Sequence, residues 1–215
     1  MKIATIVGTR PNFIKAAALI TEIKKHDVGH VLIHTGQHYD KEMSRLFFDE
    51  LGIPKPDINL GVGSGSYGEQ IGNIIIKLEK ILVKEQPDLV IVVGDVNSTF
   101  AGALTAKQLG IKVAHVEAGL RSFDMSMPEE INRILTDRIS DFLFTTEKSG
   151  NENLIKEGIG KDKAFFVGNV MIDILLRHKE KAQKSDILSK LKLNKNNYAV
   201  LTLHRPSNVD NKGAF

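Results

Sequence analysis

The stretch 6-IVGTRPNFIK-15, near the start of this 215-residue chain, joins an apolar strand to a helix through a single glycine. A dinucleotide-binding domain has a glycine-rich phosphate turn at this point. In this chain Arg10 and Pro11 stand where small residues would be expected, and proline is favoured at the start of a helix. The pattern indicates a strand–turn–helix unit of an α/β fold, with a turn built for a ligand other than NAD.

Apolar, β-branched runs alternate with helical periodicity over most of the remaining chain. The clearest helix spans 67–85, where isoleucine and leucine recur with the i, i+3, i+4, i+7 spacing of one helix face. Strands are predicted at 3–7, 30–35, 88–93, 112–116, 142–146 and 164–168. Such alternation predicts a Rossmann-like parallel sheet with helices on both faces. Ligands of these sheets bind beyond the carboxyl ends of the strands.

The composition excludes several classes of function. With 29 Lys and Arg against 26 Asp and Glu, and no basic stripe among aromatics, we expect no nucleic-acid partner. The chain has no cysteine, which excludes disulfides and thiolate metal sites. No apolar run reaches the length of a membrane span or has the form of a signal peptide, so we expect a cytoplasmic protein without a membrane partner.

The end of the chain indicates a change of organisation. We predict an N-terminal Rossmann-like domain over 1–170 and a lysine-rich helical connection over 171–197. A new strand, 198-YAVLTLHRPS-207, would then begin a second Rossmann-like domain, of which 198–215 is the first strand and loop. Because a strand and a polar loop cannot bury a core, we expect the rest of that domain to be missing from this chain.

Three carboxylates follow predicted strands or open a helix. Asp95 follows strand 88–93, and Glu117 follows the apolar run 113-VAHV-116, with Arg121 as the nearest cation in the sequence. Glu129 lies in the first turn of a helix that Pro128 opens. Each also has an ordinary explanation: Asp95 could order a loop, and Glu129 could complement the helix dipole and pair with Arg133 four residues later.

Cations and histidines occupy similar positions. Arg10 and Lys15 flank a helix N-terminus, where anions are favoured, although Lys15 alone would be read as a surface cation. His204, followed by Arg205, ends the predicted strand at 198–207 and could exchange protons near neutral pH. His34 and His38 have a spacing that suits metal only on a helix, which Gly36 disfavours, so we expect no metal site. Together these residues indicate an acid/base site with an anion clamp, on an enzyme that acts on a phosphorylated substrate.

Six motifs carry a resemblance to a known family. In this order, GTRPNFIK, HTGQHYD, GDVNSTFAGA, HVEAGLRS, MPEEINRILTD and LTLHRPSNVDN closely resemble the non-hydrolysing UDP-N-acetylglucosamine 2-epimerases. The resemblance implies the N-terminal half of a two-domain glycosyltransferase-like (GT-B) fold, with UDP-N-acetylglucosamine (UDP-GlcNAc) or UDP bound between the domains. It implies interconversion with UDP-N-acetylmannosamine (UDP-ManNAc) by loss and return of UDP through a 2-acetamidoglucal. No cofactor is implied.

The resemblance also assigns roles to residues. Asp95, Glu117 and Glu129 match the catalytic carboxylates, with acid and base duties undivided, and His204 matches the catalytic histidine. The positions linked to substrate binding are Arg10, Lys15, Arg133 and Arg205. We expect a homodimer of the full-length protein and an inactive 215-residue chain. Because 61–70 contains no arginine, we expect no activation by a second UDP-sugar.

Three other functions stay open. A hydrolysing relative would release UDP and free N-acetylmannosamine, although HVEAGLRS with PEEINR argues against it. A truncated, non-catalytic chain could serve as a binding or assembly module. A glycosyltransferase of similar fold is the most distant alternative, because it would not need three carboxylates at these places.

Overall fold

A single parallel sheet of seven strands organises the molecule. The computed structural model describes residues 1–37, 52 and 55–203. The strands are β1 (Lys2–Val7), β2 (Gly29–His34), β3 (Ile58–Asn59), β4 (Leu89–Val93), β5 (Lys112–Ala118), β6 (Phe142–Thr145) and β7 (Ala164–Phe166). Their order in the sheet is β3-β2-β1-β4-β5-β6-β7, and every neighbouring pair is parallel. The predicted parallel α/β sheet is confirmed.

Helices connect the strands in the alternation that the sequence predicts. They are α1 (Arg10–Ile23), α2 (Tyr67–Glu85), α3 (Asn97–Gln108), α4 (Pro128–Ile139), α5 (Lys148–Lys156), α6 (Val170–Gln183) and α7 (Ile187–Lys190), with a 3-10 turn at Lys161–Lys163. Within the described ranges, every helix is too short or too polar to cross a membrane.

The predicted helix at 67–85 is confirmed at both ends, for identifiable reasons. The Ser66 hydroxyl accepts from the Glu69 amide, and the Glu69 carboxylate accepts in return from the Ser66 amide at 2.9 Å. This reciprocal pair satisfies amides that the helix itself leaves unpaired. Beyond Glu85, Gln86 adopts the left-handed conformation that ends many helices.

Alternating side chains of the strands build two cores, one on each face of the sheet. On β1, Ala4 and Ile6 face a core completed by α2 and α3, whereas Val7 faces a core completed by α1. The same alternation holds on β4, where Val90 and Val92 face α2 and α3. This two-residue period follows from the pleat of a strand. Both faces of the sheet are therefore covered by helices, as predicted.

The strand order reverses between β1 and β4. From β1 the chain proceeds outward through β2 and β3, and it then returns to add β4, β5, β6 and β7 on the other side. At such a switch point the loops after neighbouring strands diverge and leave a crevice beyond the carboxyl ends. The turns after β1 and β4 border this crevice.

The chain divides into two compact units, Met1–Arg177 and His178–Phe215. One predicted element in the second unit differs from the structure. The predicted strand at 198–207 is wrong over 198–203, which are exposed and form no strand. A strand requires a hydrogen-bonded neighbour, and these residues have no sheet partner in the part of the chain that is described. Residues 204–207 lie outside the described residues.

Candidate active site

Glu117 stands at an irregularity near the carboxyl end of β5. The pairing of β5 with β6 shifts register between Val116 and Ala118, which leaves Glu117 in a β-bulge. Its φ of 75° lies in the left-handed region that non-glycine residues rarely occupy. Bulges and strained backbone of this kind redirect side chains and cluster at functional sites. The bulge aims a carboxylate that a regular strand would place differently.

Lys15, on α1, holds the Glu117 carboxylate. Its Nζ lies 2.7 Å from Oε1 and 2.6 Å from Oε2, and each side chain is about 15% exposed. The buried Ala16 and Ala17 allow α1 to pack close to the sheet. Arg121, the cation nearest in sequence, is not the partner of Glu117, because its buried guanidinium pairs with Asp137 and Glu157.

Arg133, on α4, holds the Asp95 carboxylate beyond the end of β4. One guanidinium nitrogen pairs with Asp95, and another lies 2.8 Å from the Glu130 carboxylate. Burial lowers the pKa of Arg133, but the two carboxylates outweigh burial and raise that pKa overall. Arg133 does not form the helix-surface pair with Glu129 that was the ordinary alternative for these two residues. Arg133 pairs three residues back with Glu130, whose side chain points inward.

The two ion pairs lie close together. A Cβ atom added at Gly94, which directly precedes Asp95, would lie 3.5 Å from the Nζ of Lys15. The Asn132 amide of α4 donates to the Asp95 carbonyl oxygen at 3.0 Å, which joins the start of α4 to the end of β4. Asp95 and Glu117 therefore share one edge of the sheet with two cations.

Glu129 opens onto a cleft of about 400 Å³ beside these pairs. The cleft is polar on one side, where Asn97 bridges Asn132 and Gln70 through its own amide. Among the described residues, the Glu129 carboxylate has no hydrogen-bond or ion-pair partner. The lining consists of Thr9, Gln37, Gly65, Ser66, Tyr67, Gln70, Val96, Asn97, Glu129 and Asn132. This arrangement leaves one carboxylate available to a ligand and two held by cations.

A family model described as UDP-N-acetylglucosamine 2-epimerase matches residues 21–215. The chain belongs to the UDP-N-acetylglucosamine 2-epimerase family. It is 55% identical over 214 residues to the UDP-N-acetylglucosamine 2-epimerase homolog of Methanococcus maripaludis, a match that covers 99% of this chain and 59% of the relative. The family predicted from the six motifs is thereby confirmed.

Two further matches concern the fold and the substrates named for relatives. One match is the crystal structure of the Methanocaldococcus jannaschii UDP-GlcNAc 2-epimerase in complex with UDP-GlcNAc and UDP. Its TM-score is 0.92 and its sequence identity 49%, and the match covers 99% of this chain and 59% of the M. jannaschii chain. The UDP-2,3-diacetamido-2,3-dideoxy-D-glucuronate 2-epimerase of Pseudomonas aeruginosa is 45% identical over 98% of this chain and 59% of its length. The predicted GT-B fold class, of which this chain is the N-terminal half, is confirmed. The chain spans about 59% of the relatives' length.

Of the other candidate residues, the structure describes Arg10 and His34, and the rest lie outside the described residues. Arg10 is exposed at the first position of α1, beyond the carboxyl end of β1. His204 and Arg205 lie outside the described residues, as does His38. His34 ends β2 with its ring edge against Phe13, at a centroid distance of 4.8 Å. The structure therefore brings Lys15, Asp95, Glu117 and Arg133 together, with Glu129 on the adjoining cleft.

Sequence reasoning missed a charged cluster behind these residues, buried at His115, Asp137 and the Arg121 guanidinium and partly exposed at Glu157. His115 contacts Asp137, Asp137 contacts Arg121, and Arg121 contacts Glu157. The sequence signal was a histidine inside the apolar run 113-VAHV-116, a place where a polar ring needs buried partners. Glu130 was also passed over, although it stands beside Glu129 in the same motif.

Proposed function

We propose that this protein is a non-hydrolysing UDP-GlcNAc 2-epimerase that interconverts UDP-GlcNAc and UDP-ManNAc and needs no cofactor. The observation that carries the proposal is the placement of Asp95, Glu117 and Glu129 at one edge of the sheet, with Lys15 and Arg133 beside them. The family membership and a relative solved with UDP-GlcNAc and UDP support it.

The proposed chemistry begins with an elimination. A carboxylate takes the proton from C2 of the sugar, and the electron pair of that C–H bond forms a C1–C2 double bond. The C1–oxygen bond breaks, and its electron pair leaves with UDP. UDP then adds back to C1 while C2 receives a proton on the opposite face. Inversion by this route requires an acceptor on one face and a donor on the other, which two of the three carboxylates would supply. The division between them stays unassigned, and His204 is proposed as a further catalytic group.

Negative charge develops on the departing diphosphate. We assign Arg10 and the N-terminal amides of α1 to this charge, because helix N-termini and guanidinium groups both favour phosphate oxygens. Arg133 and Lys15 would orient the carboxylates and offset charge on the sugar side. Preorganised groups of this kind stabilise a transition state without rearranging during the reaction.

We also propose that the active protein contains a second Rossmann-like domain after residue 197. The relatives are longer than this chain, and closure of two domains would exclude water from the site. By itself the 215-residue chain should bind UDP weakly and turn over negligibly. Turnover by residues 1–215 at a rate near that of the two-domain protein would contradict this proposal.

Product analysis tests the proposed reaction. The two-domain protein is incubated with UDP-GlcNAc, and phosphorus and proton NMR follow the mixture. We expect UDP-ManNAc with its diphosphate intact. Release of UDP and free N-acetylmannosamine would instead identify a hydrolysing enzyme. Tight UDP binding without conversion would leave only the non-catalytic binding module.

A further inference from the structure

His115 of β5 is completely buried and has an acceptor at each ring nitrogen. Its Nε2 lies 2.7 Å from the Gly94 carbonyl oxygen, and its Nδ1 lies 2.7 Å from Oδ1 of Asp137. The ring therefore bridges a backbone carbonyl and a carboxylate, which satisfies both of its buried nitrogens.

Asp137 is an ionised acceptor. Its Oδ2 accepts from the Gly119 amide at 3.0 Å and from Arg121 at 2.8 Å. Burial raises the pKa of the Asp137 carboxyl, but the contacts with His115 and Arg121 outweigh it and hold that pKa below its ordinary value. His115 therefore links an ionised carboxylate to a backbone carbonyl through its two ring nitrogens.

Arg121 extends the cluster toward the surface. Arg121 donates from Nε and Nη2 to the two oxygens of Glu157, each at 2.7 Å. The Arg121 guanidinium thus pairs with two carboxylates, the buried one of Asp137 and the partly exposed one of Glu157. Buried charges are stable when they are paired and hydrogen-bonded in this way, whereas loss of one member leaves its partner uncompensated.

The cluster fixes the two turns that carry the carboxylates of the site. Gly94, whose carbonyl His115 binds, directly precedes Asp95, and Gly119, whose amide Asp137 binds, follows Glu117 by two residues. Both glycines have a positive φ, 72° and 78°, so each turn is sharp and depends on its hydrogen bonds. His115 joins one turn to the other through Asp137.

We propose that His115 is a positioning residue, whose imidazole ring between Asp137 and the Gly94 carbonyl sets the separation of the Asp95 and Glu117 carboxylates. Its side chain has no exposed surface and does not line the cleft, so it acts through its neighbours. The catalytic consequence rests on the proposed epimerase function. The geometry does not.

Kinetics of the two-domain protein test the catalytic consequence. His115→Phe keeps an aromatic ring and removes both hydrogen bonds, so kcat should fall about 10²-fold, the scale of a misplacement near 1 Å, while KM changes less than about threefold. In a Glu117→Gln background the same change should cost little more, because both act on one step. Thr105→Val is the matched control, since it removes one buried hydrogen bond, to the Ala101 carbonyl of α3, and should leave kcat unchanged.

A second measurement does not depend on activity. A crystal structure of the His115→Phe protein, or of His115→Gln if the phenylalanine variant does not fold, should show the Asp95 or Glu117 carboxylate displaced. Unmoved carboxylates, or unchanged kcat in an active enzyme, would each overturn the proposal. If the carboxylates were displaced in the His115 variant but the unaltered enzyme had no activity, the result would instead refute the proposed function.

Discussion

Glu129 and Glu130 are neighbours in the sequence, but the structure assigns them opposite consequences when each is replaced by glutamine. The Glu130 side chain is about 1% exposed and accepts from the amides of Ser122 and Phe123 at 2.9–3.1 Å and from Arg133 at 2.8 Å. Glutamine in its place would keep one acceptor oxygen and turn an N–H₂ group toward the remaining donors. The loss should fall on stability.

The magnitude follows from these contacts. A hydrogen bond to a charged group contributes about 1.5–3 kcal/mol, and removing one member of a buried ion pair costs about 3–5 kcal/mol. Because Arg133 retains Asp95 as a second partner, we expect the lower end, about 3 kcal/mol for Glu130→Gln. For a protein of this size that corresponds to a fall in Tm of about 6–12 °C.

Glu129→Gln is the matched control. Glu129 is half-buried and its carboxylate has no hydrogen bond or ion pair with any described residue, so its replacement should change the free energy of unfolding by less than about 0.5 kcal/mol. Urea unfolding of both variants and the unaltered chain, followed by circular dichroism at pH 7, gives the comparison. If Glu129→Gln lost as much stability as Glu130→Gln, the assignment of the two carboxylates would be wrong.

The pH dependence adds a second check on Glu130. Burial raises the pKa of its carboxyl, but the amides of Ser122 and Phe123 and the Arg133 guanidinium outweigh burial and lower that pKa below its ordinary value of 4.5. A carboxyl with a lowered pKa stabilises the fold above its ordinary pKa, and this contribution is lost as the pH falls. The stability difference between the unaltered chain and Glu130→Gln should therefore shrink below about pH 4.5. A difference that stayed constant down to pH 3 would refute the reasoning.

Two further predictions concern stability. Gly8→Ala would place a Cβ 1.9 Å from the Ser98 hydroxyl oxygen and should cost at least the roughly 1–3 kcal/mol typical of overpacking. Gly72→Ala, inside α2 with open space around it, should instead stabilise the fold by about 0.5–1 kcal/mol, and thermal melts that gave the reverse order would contradict the packing after β1. Burial lowers the pKa of His34 below its ordinary value of 6.5, and a hydrogen bond with the Gly8 backbone opposes this shift in part. The fold should therefore lose stability as the pH falls below about 6.5, and His34→Phe should reduce that loss. Identical pH profiles of unfolding for the two proteins between pH 7 and 5 would show that His34 is not buried in neutral form.

The sequence predicted best those features of the fold that depend on residues close together along the chain. The helix at 67–85 was predicted in full because its apolar spacing, its Ser66 cap and its end at Gln86 are all local. Strand ends were predicted within two residues, and so Asp95 and Glu117 were expected at one edge. The two-residue strand β3 was missed, because it exists only through its pairing with β2.

Partners within the site could not be predicted, since they depend on which side of each element faces inward. Glu129 and Glu130 both lie one helical turn before Arg133, and only the fold shows that Glu130 is the buried one. Arg121 is close to Glu117 in sequence, but the turn at Gly119 carries it to Asp137. The left-handed backbone of Glu117 has no local sequence signal, because it arises from the bulge between β5 and β6.

The central claim is that carboxylates at the ends of β4 and β5 move the proton at C2 of the sugar. The most direct test incubates the two-domain protein with UDP-GlcNAc in deuterated water and follows C2 by NMR. We predict deuterium at C2 of the product, formed about 10²-fold or more slowly by the Glu117→Gln protein. Interconversion that retained the original hydrogen at C2, or a near-normal rate with Glu117→Gln, would contradict it.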